Sequence, residues 1–302
     1  MKLPIFTGSG TAIVTPFSAD GSVNLPALGR LLERQLLDGT DAVIVCGTTG
    51  EAATMTYSER MRTIEFCVRY IDGRIPVIAG TGSNNTATAV TLSRDAAAAG
   101  ADALLLVTPY YNKATQEGLI RHFRTIADAV SLPQILYNVP SRTGVSCTAE
   151  TYAALSEHPQ ILGVKEASGD LKLIQRTRLL CPDDFYIWSG NDDETVPICV
   201  LGGVGVISVA ANLIPREMHR MTALCLENRF QEAGALQLQL RPLCDALFCE
   251  VNPIPVKTAL ELMGFDVGPL RLPLCPPSDE HLLQIRRALD AWSLDPADPS
   301  PF

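Results

Sequence analysis

Residues 103–137 read ALLLVTPYYNKATQEGLIRHFRTIADAVSLPQILY. This stretch holds two short apolar runs, Ala103–Val107 and Gln134–Tyr137, on either side of a segment, 116–130, with the periodicity of a helix. A strand that is apolar along its whole length is buried on both faces, which is typical of a parallel sheet. The stretch therefore predicts one β-α-β unit.

The same alternation of apolar run and helical segment recurs along most of the chain. The runs that predict strands are Thr11–Thr15, Ala42–Cys46, Pro76–Ala79, Ala103–Val107, Gln134–Tyr137, Ile161–Lys165, Phe185–Trp188 and Val204–Val209. The helical segments that follow them are 24–38, 58–71, 85–99, 116–130, 149–157, 170–180, 192–201 and 215–228. Residues that commonly begin helices stand at or just before three of these segments, at Asn24, Ser58 and Thr148.

The number of repeats decides between the two common α/β architectures. Eight β-α units in about 225 residues favour a closed (β/α)8 TIM barrel over an open doubly wound sheet. The first strand is also not followed by the Gly-x-Gly-x-x-Gly turn of dinucleotide-binding sheets. After residue 228 only helical periodicity remains. We therefore predict a catalytic barrel over residues 1–228 and a C-terminal α-helical domain over residues 229–302.

Composition narrows the classes of partner. The chain has 24 basic and 33 acidic residues and a net charge of −9, which disfavours binding to a phosphate backbone. No apolar run approaches the length of a membrane span, and the N-terminus lacks an apolar signal stretch. The nine cysteines are scattered, without a Cys-x-x-Cys pair or a histidine at metal-ligand spacing. The sequence therefore predicts a cytoplasmic protein without a membrane or nucleic-acid partner and without a metal.

In a barrel of this kind, functional groups lie where strands end and the following loops begin. Lys165 is the most unusual of these residues, because it ends an apolar run. Burial lowers the pKa of a lysine, and a neutral amine attacks a ketone to form an imine. Strand alternation would turn Gly163 and Ile161 inward with Lys165, so that Gly163 leaves space below the amine. The alternative is a lysine that reaches solvent or pairs with Glu166.

Three other strand ends carry polar groups that the same chemistry could use. Tyr137 brings a phenol that can relay protons, although it could also be an aromatic plug of the barrel. Arg142 has the planar fork that binds carboxylates, although a solvated loop arginine is the more common case. The run Gly47-Thr48-Thr49-Gly50 exposes hydroxyls and backbone N–H groups, which form an anion cradle. Tyr110 and Tyr111 are adjacent in a loop, as is also seen at subunit contacts.

These residues belong to longer blocks that occur in a fixed order along the chain. The blocks are Gly47-Thr48-Thr49-Gly50-Glu51, Ala79-Gly80-Thr81-Gly82, Thr108-Pro109-Tyr110-Tyr111-Asn112-Lys113, Tyr137-Asn138-Val139-Pro140-Ser141-Arg142-Thr143-Gly144, Gly163-Val164-Lys165-Glu166-Ala167 and Asn252-Pro253-Ile254-Pro255-Val256-Lys257. In them the chain resembles the dihydrodipicolinate synthase family, within the N-acetylneuraminate lyase superfamily of class I aldolase-type barrels.

The resemblance implies a reaction. Pyruvate would bind to Lys165 as a Schiff base and condense with L-aspartate semialdehyde to 4-hydroxy-tetrahydrodipicolinate, towards diaminopimelate and lysine. It implies no metal and no organic cofactor. A proton relay of Tyr137, Thr48 and Tyr111 is implied, with Tyr111 supplied by the neighbouring subunit of a tight dimer, and two such dimers would form a homotetramer.

The resemblance also implies substrate contacts. Thr48 and Thr49 would hold the pyruvate carboxylate, and Arg142 would bind the carboxylate of the aldehyde. The backbone of Gly190 and the side chain of Ile207 would line the pocket. These assignments place the whole site at the ends of the barrel strands.

One departure from the family bears on regulation. Many members are inhibited by lysine, whose ammonium meets an acidic residue at the dimer interface; here Thr88 stands at that position. Asn84 and Tyr110 match the family, while Tyr57 and Arg60 stand where some members have histidines. We therefore expect lysine inhibition to be weak or absent.

Three other functions are compatible with parts of this sequence. Another pyruvate lyase of the superfamily, acting on a sugar acid or a hydroxy-keto acid, would share Lys165 and Tyr137, although Arg142 and Tyr111 favour the synthase. A barrel that binds a ketoacid without catalysis would be expected to lack the lysine or the tyrosine. A phosphate-binding barrel would need a glycine-rich loop after strand seven or eight, and the Gly202-Gly203 pair precedes strand eight.

Overall fold

The structure is a computed structural model that describes residues 1–292. Eight parallel strands form a closed barrel in chain order, and the first strand pairs with the last. The strands are β1 Gly8–Ala12, β2 Ala42–Val45, β3 Val77–Gly80, β4 Ala103–Val107, β5 Gln134–Asn138, β6 Ile161–Glu166, β7 Tyr186–Ser189 and β8 Gly205–Ser208. The predicted (β/α)8 barrel is therefore confirmed.

Helices surround the barrel and continue beyond it. They are α1 Leu25–Leu37, α2 Tyr57–Ile71, α3 Thr86–Ala98, α4 Gln116–Ala129, α5 Pro140–Thr143, α6 Ala149–Ser156, α7 Leu171–Leu180, α8 Thr195–Val200, α9 Pro215–Leu226, α10 Phe230–Ala246, α11 Ile254–Leu262 and α12 Asp279–Trp292. None of the helices within residues 1–292 combines the length and the apolar character that crossing a membrane requires.

Side-chain caps explain where several helices begin. The Asn24 side chain accepts a hydrogen bond from the third backbone N–H beyond it, and Thr148 does the same for α6. The predicted start of α2 at Ser58 is wrong by one residue. Thr56 caps this helix instead, in a reciprocal capping box with Glu59. The serine falls inside the first turn, because the threonine two positions earlier has a glutamate at the required spacing.

The prediction for β1 is also wrong. The apolar run Thr11–Thr15 predicted the strand, but β1 begins three residues earlier, at Gly8, and ends at Ala12. A side chain on Gly8 would lie 2.2 Å from Asp41 Oδ2, which accepts a hydrogen bond from the Ser9 backbone N–H. A glycine-rich start looks like a turn in sequence, whereas here it allows neighbouring groups to approach the strand closely.

Two apolar clusters lie on the two faces of the barrel wall. The outer cluster packs the strands against the helices, and the inner cluster fills the barrel. Phe6, just before β1, stacks on Trp188 of β7 with ring centroids 5.4 Å apart. Burying side chains of this size contributes about 1.5–3 kcal/mol each. Phe6 thus helps to fill the N-terminal end of the barrel.

The last three helices pack back onto the barrel. α10 contacts α8 and α9, and α12 contacts α10 and α11. On α11, the buried Lys257 forms an ion pair with the buried Glu51, with Nζ 2.9 Å from Oε1. Since Glu51 follows β2, this pair ties the C-terminal helices to the functional end of the barrel. The domain boundary at residue 228 stays a prediction, and residues 293–302 of the second predicted domain lie outside the described residues.

Candidate active site

A cavity of about 370 Å³ opens at the C-terminal ends of the strands. The loops after β2, β3, β4 and β5 line it, together with Val251–Pro253 and Pro273–Leu274 from the C-terminal region. Of the residues predicted for the site, Thr48, Tyr137 and Arg142 contribute to its lining. The cavity therefore lies where the barrel architecture predicts functional groups.

Lys165 lies inside the barrel next to the phenol of the neighbouring strand. The two residues are register partners across β5 and β6, and the Lys165 Nζ lies 4.4 Å from the centre of the Tyr137 ring. Only 5% of Lys165 is exposed. The predicted alternative in which this lysine reaches solvent is therefore wrong.

The surroundings of Lys165 increase the share of its neutral form. Burial lowers its pKa to about 8, the Asp192 carboxylate opposes this shift, and the Arg142 guanidinium adds to it. With a pKa near 8, about 9% of the amine is neutral at pH 7, compared with about 0.03% at the ordinary value. A nucleophilic amine is thus available near neutral pH.

Glu166 does not pair with Lys165, so the second alternative for this lysine is also wrong. Its carboxylate accepts hydrogen bonds from the Tyr152 hydroxyl at 2.8 Å, the Asn138 amide at 3.0 Å and the Ser168 N–H at 2.9 Å. Successive side chains of a strand point to opposite faces, which directs Glu166 away from the interior. Burial raises the pKa of this carboxylate, and the three hydrogen bonds oppose that rise.

The predicted inward direction of Ile161 is wrong. Residue Leu162 is an extra residue on β6, because Gln134 pairs with Ile161 and Ile135 pairs with Gly163. This irregularity breaks the alternation between Ile161 and Gly163, so Ile161 packs in the outer cluster, whereas Gly163 stays on the face of Lys165. A Cβ on Gly163 would lie 1.9 Å from the Tyr186 carbonyl oxygen. The glycine thus permits close approach of two strands.

Tyr137 and Thr48 come together at the cavity. Burial raises the pKa of the Tyr137 hydroxyl, whereas the Arg142 guanidinium and a hydrogen bond with Thr48 lower it. Tyr111, the third residue of the predicted relay, lies apart from them. Its side chain is 88% exposed, and its backbone N–H donates to the Thr143 carbonyl at 3.2 Å. Within one protomer the structure therefore brings together two of the three.

Thr49 and Arg142 share a partner that the sequence reasoning missed. The Asn252 side-chain Nδ2 donates to the Thr49 hydroxyl at 3.0 Å, and the Arg142 Nη2 donates to the Asn252 carbonyl at 3.3 Å. Asn252 belongs to a sequence block noted above, but nothing in that block indicates a contact with residues over a hundred positions away. The two candidate carboxylate-binding residues are therefore linked through the C-terminal region.

Asp192 is a second functional candidate that the sequence reasoning missed. It is buried after β7, and its Oδ2 accepts the N–H groups of Val209 and Ala210 at 3.1 and 2.9 Å. Burial raises its pKa, while these hydrogen bonds and the Lys165 ammonium lower it. The available signal was an acidic residue just past a strand end, two positions after Gly190.

Gly190 packs against the end of β6, and Ile207 lies inside the barrel. The Gly190 N–H donates to the Glu166 carbonyl at 2.7 Å, and a side chain there would lie 2.6 Å from the Ala167 Cβ. Ile207 is completely buried in the inner cluster that also contains Tyr137. Neither residue lines the cavity itself.

A closed barrel with a buried lysine against a tyrosine at its functional end has the features of class I aldolase-type barrels. The Dihydrodipicolinate synthetase family model matches residues 5–292. The chain belongs to this family, and the predicted family is confirmed.

Relatives and solved structures are similar along nearly the whole chain. The 4-hydroxy-tetrahydrodipicolinate synthase of Thermoanaerobacter sp. strain X514 is 55% identical, over 97% of this chain and 98% of that protein. The synthase of the same name from Caldicellulosiruptor saccharolyticus is 52% identical, over 97% and 99%. The crystal structure of dihydrodipicolinate synthase from Aquifex aeolicus has a TM-score of 0.94 at 44% identity, covering 96% of this chain and 99% of that chain.

Proposed function

We propose that Lys165 is the residue on which the reaction of this chain takes place. The chain is a lyase that condenses pyruvate with L-aspartate semialdehyde to 4-hydroxy-tetrahydrodipicolinate, in lysine and diaminopimelate biosynthesis. Relatives 49–55% identical to it are named for this reaction. The observation that carries the assignment to Lys165 is its buried amine, 4.4 Å from the Tyr137 ring centre, with a lowered pKa.

The proposed chemistry begins with the neutral amine. Lys165 Nζ attacks the ketone carbon of pyruvate, and loss of water gives the imine. Proton loss from the methyl group converts the imine into an enamine, whose terminal carbon attacks the aldehyde carbon of the second substrate. The amino group of that substrate then attacks the imine carbon, closing the ring and releasing the Lys165 amine. The protonated imine supplies the electron sink that these steps need.

Each step moves a proton, which gives Tyr137 its proposed role. A phenol beside the amine can donate to the departing water and accept the proton again, and Thr48 extends the path through its hydroxyl. We propose that Tyr111 completes this relay from the neighbouring subunit of a tight dimer. Its exposed side chain and its backbone contact with Thr143 support this arrangement.

The remaining assignments concern binding and assembly. Thr48 and Thr49 bind the pyruvate carboxylate, and Arg142 binds the carboxylate of the aldehyde. The Gly190 backbone and the Ile207 side chain line the pocket around Lys165, beyond the cavity that the loops enclose. Two tight dimers form a homotetramer. A cytoplasmic location, where thiols stay reduced, is consistent with the free cysteines in the described residues.

Reductive trapping tests the assignment to Lys165. Borohydride added with pyruvate should fix a stable adduct on Lys165, identified by mass spectrometry of the peptide that contains it. The adduct should be absent from Lys165→Ala and unchanged in Lys172→Ala, which removes an exposed lysine. An unmodified Lys165 peptide in the wild-type protein would refute the assignment. A coupled assay with aspartate semialdehyde, compared with sugar-acid substrates, tests the second substrate independently.

A further inference from the structure

Asn252 is a cavity-lining residue that does not belong to a strand end of the barrel. It lies between α10 and α11, and only 5% of it is exposed. The proposed chemistry so far uses groups from the barrel alone. The cavity therefore also contains a buried amide from the C-terminal region, whose function the barrel groups do not explain.

Asn252 touches both candidate carboxylate-binding residues with different groups. Its side chain donates to the Thr49 hydroxyl at 3.0 Å, whereas its backbone carbonyl accepts from Arg142 at 3.3 Å. The side-chain Oδ1 is buried and has no hydrogen-bond partner among residues 1–292. The one hydrogen bond that the side chain forms within the described residues is therefore the bond to Thr49.

The direction of the bond to Thr49 has a chemical consequence. A threonine hydroxyl carries one O–H donor and can accept through its lone pairs. When Thr49 accepts the Asn252 N–H, its own proton stays available for another acceptor. A carboxylate, which only accepts hydrogen bonds, is the ligand that such a hydroxyl suits.

We propose that Asn252 is a positioning residue, which keeps Thr49 oriented as a donor to the pyruvate carboxylate and holds Arg142 through its backbone carbonyl. This inference rests on the proposed function, in which Thr49 and Arg142 bind different carboxylates. The two contacts use different groups of Asn252, so a side-chain replacement removes the first and keeps the second. The C-terminal region thereby takes part in binding the substrates of the barrel.

Steady-state kinetics of Asn252→Leu test this separation. Losing one neutral hydrogen bond should raise the KM for pyruvate about five- to tenfold. The KM for aspartate semialdehyde should change less than about twofold, because the carbonyl that holds Arg142 remains. A rise in both KM values by the same factor, or a change only in the second, would overturn the proposal. Should Asn252→Leu fail to fold, Asn252→Ala removes the same polar atoms and serves in its place.

A matched control separates positioning from loosening of the segment. Glu250 accepts hydrogen bonds from the Ser278 N–H at 2.9 Å and from the His281 ring at 2.7 Å, without contacting Thr49. Glu250→Gln should weaken the anchoring of the same segment and leave the KM for pyruvate unchanged. An equal rise in that KM would mean that Asn252 acts only through the fold.

A double-mutant cycle with Thr49→Val isolates the hydrogen bond. In that background Asn252→Leu should change the KM for pyruvate less than about twofold, because the hydroxyl it positions is gone. Full additivity of the two substitutions would contradict a role through Thr49. Borohydride trapping at saturating pyruvate should still modify Lys165 in Asn252→Leu. Absence of trapping in the wild type would instead mean that the proposed function itself is wrong, whatever the role of Asn252.

Discussion

At the scale of single residues, hydrogen bonding separates two buried lysines. Burial lowers the pKa of both, but at Lys257 the Glu51 carboxylate opposes the shift, because Nζ donates to Glu51 at 2.9 Å and to the Pro269 carbonyl at 2.8 Å. Lys165 forms no hydrogen bond within residues 1–292 that would fix its proton, and its pKa is lowered to about 8. A buried ammonium is tolerated where it is paired and tends to lose its proton where it is not. The sequence could identify Lys165 by its position at a strand end, but not the carboxylate that acts on it.

That carboxylate gives a prediction about pH. Asp192 stabilises the charged form of Lys165 and so raises its pKa. Asp192→Asn should therefore move the Lys165 pKa further below about 8, and the neutral amine should appear at lower pH. The pH profile of kcat/KM for pyruvate, or of the trapping rate, should shift towards acid. Asp193→Asn, which alters the neighbouring carboxylate, should leave the profile in place; a shift towards base in Asp192→Asn would contradict this account.

The residues at positions 60 and 88 predict weak sensitivity to lysine. A ligand ammonium would meet the hydroxyl of Thr88 instead of a carboxylate, a loss that costs a few kcal/mol of binding. Arg60 stands where some members have a histidine; its Nη2 donates to the Gly80 carbonyl at 2.7 Å, and its positive charge would repel an ammonium. Initial rates measured with added lysine should show weak inhibition or none. Half-inhibition at sub-millimolar lysine would contradict both arguments.

At the scale of elements, periodicity was sufficient where a strand is uniformly apolar. β4 was predicted with its observed ends, Ala103 and Val107, because a run of large aliphatic residues is bounded by polar ones. β1 was predicted three residues too late, since Gly8-Ser9-Gly10 lacks the side chains that periodicity detects. The extra residue in β6 was not predictable either, because it is defined only by pairing with β5. Contacts between backbones decide such details, and composition carries little of that information.

Gly163 provides a test of this backbone contact. In Gly163→Ala, the new Cβ would lie 1.9 Å from the Tyr186 carbonyl oxygen, so β6 and β7 must separate. We expect a loss of about 3 kcal/mol or more in the free energy of unfolding, at the upper end of overpacking. Chemical denaturation would measure it. Gly234→Ala, at a glycine of α10 with open space around it, should instead stabilise the protein by up to about 1 kcal/mol. Equal effects of the two substitutions would refute the backbone argument.

At the scale of the whole molecule, the site gathers groups that are distant in sequence. The barrel itself was predictable, because each β-α unit is local and the closure follows from their number. The link from Thr49 to Asn252 spans 203 residues and was not predictable from patterns. The position of Tyr111 was not predictable from patterns either, because its exposed side chain lies outside the cavity of its own protomer.

Subunit mixing tests whether Tyr111 acts in the neighbouring protomer. Lys165→Ala should be inactive and Tyr111→Phe strongly impaired when each is prepared alone. In a mixed dimer, the Lys165→Ala protomer offers an intact Tyr111 to the only intact Lys165, which restores one complete site. Random pairing of equal amounts should then recover about one quarter of the wild-type activity per protomer, because half of the dimers are mixed and each has one working site. Coexpression followed by a rate assay would measure this. If Tyr111 acted within its own chain, the mixture would be no more active than the average of the two variants.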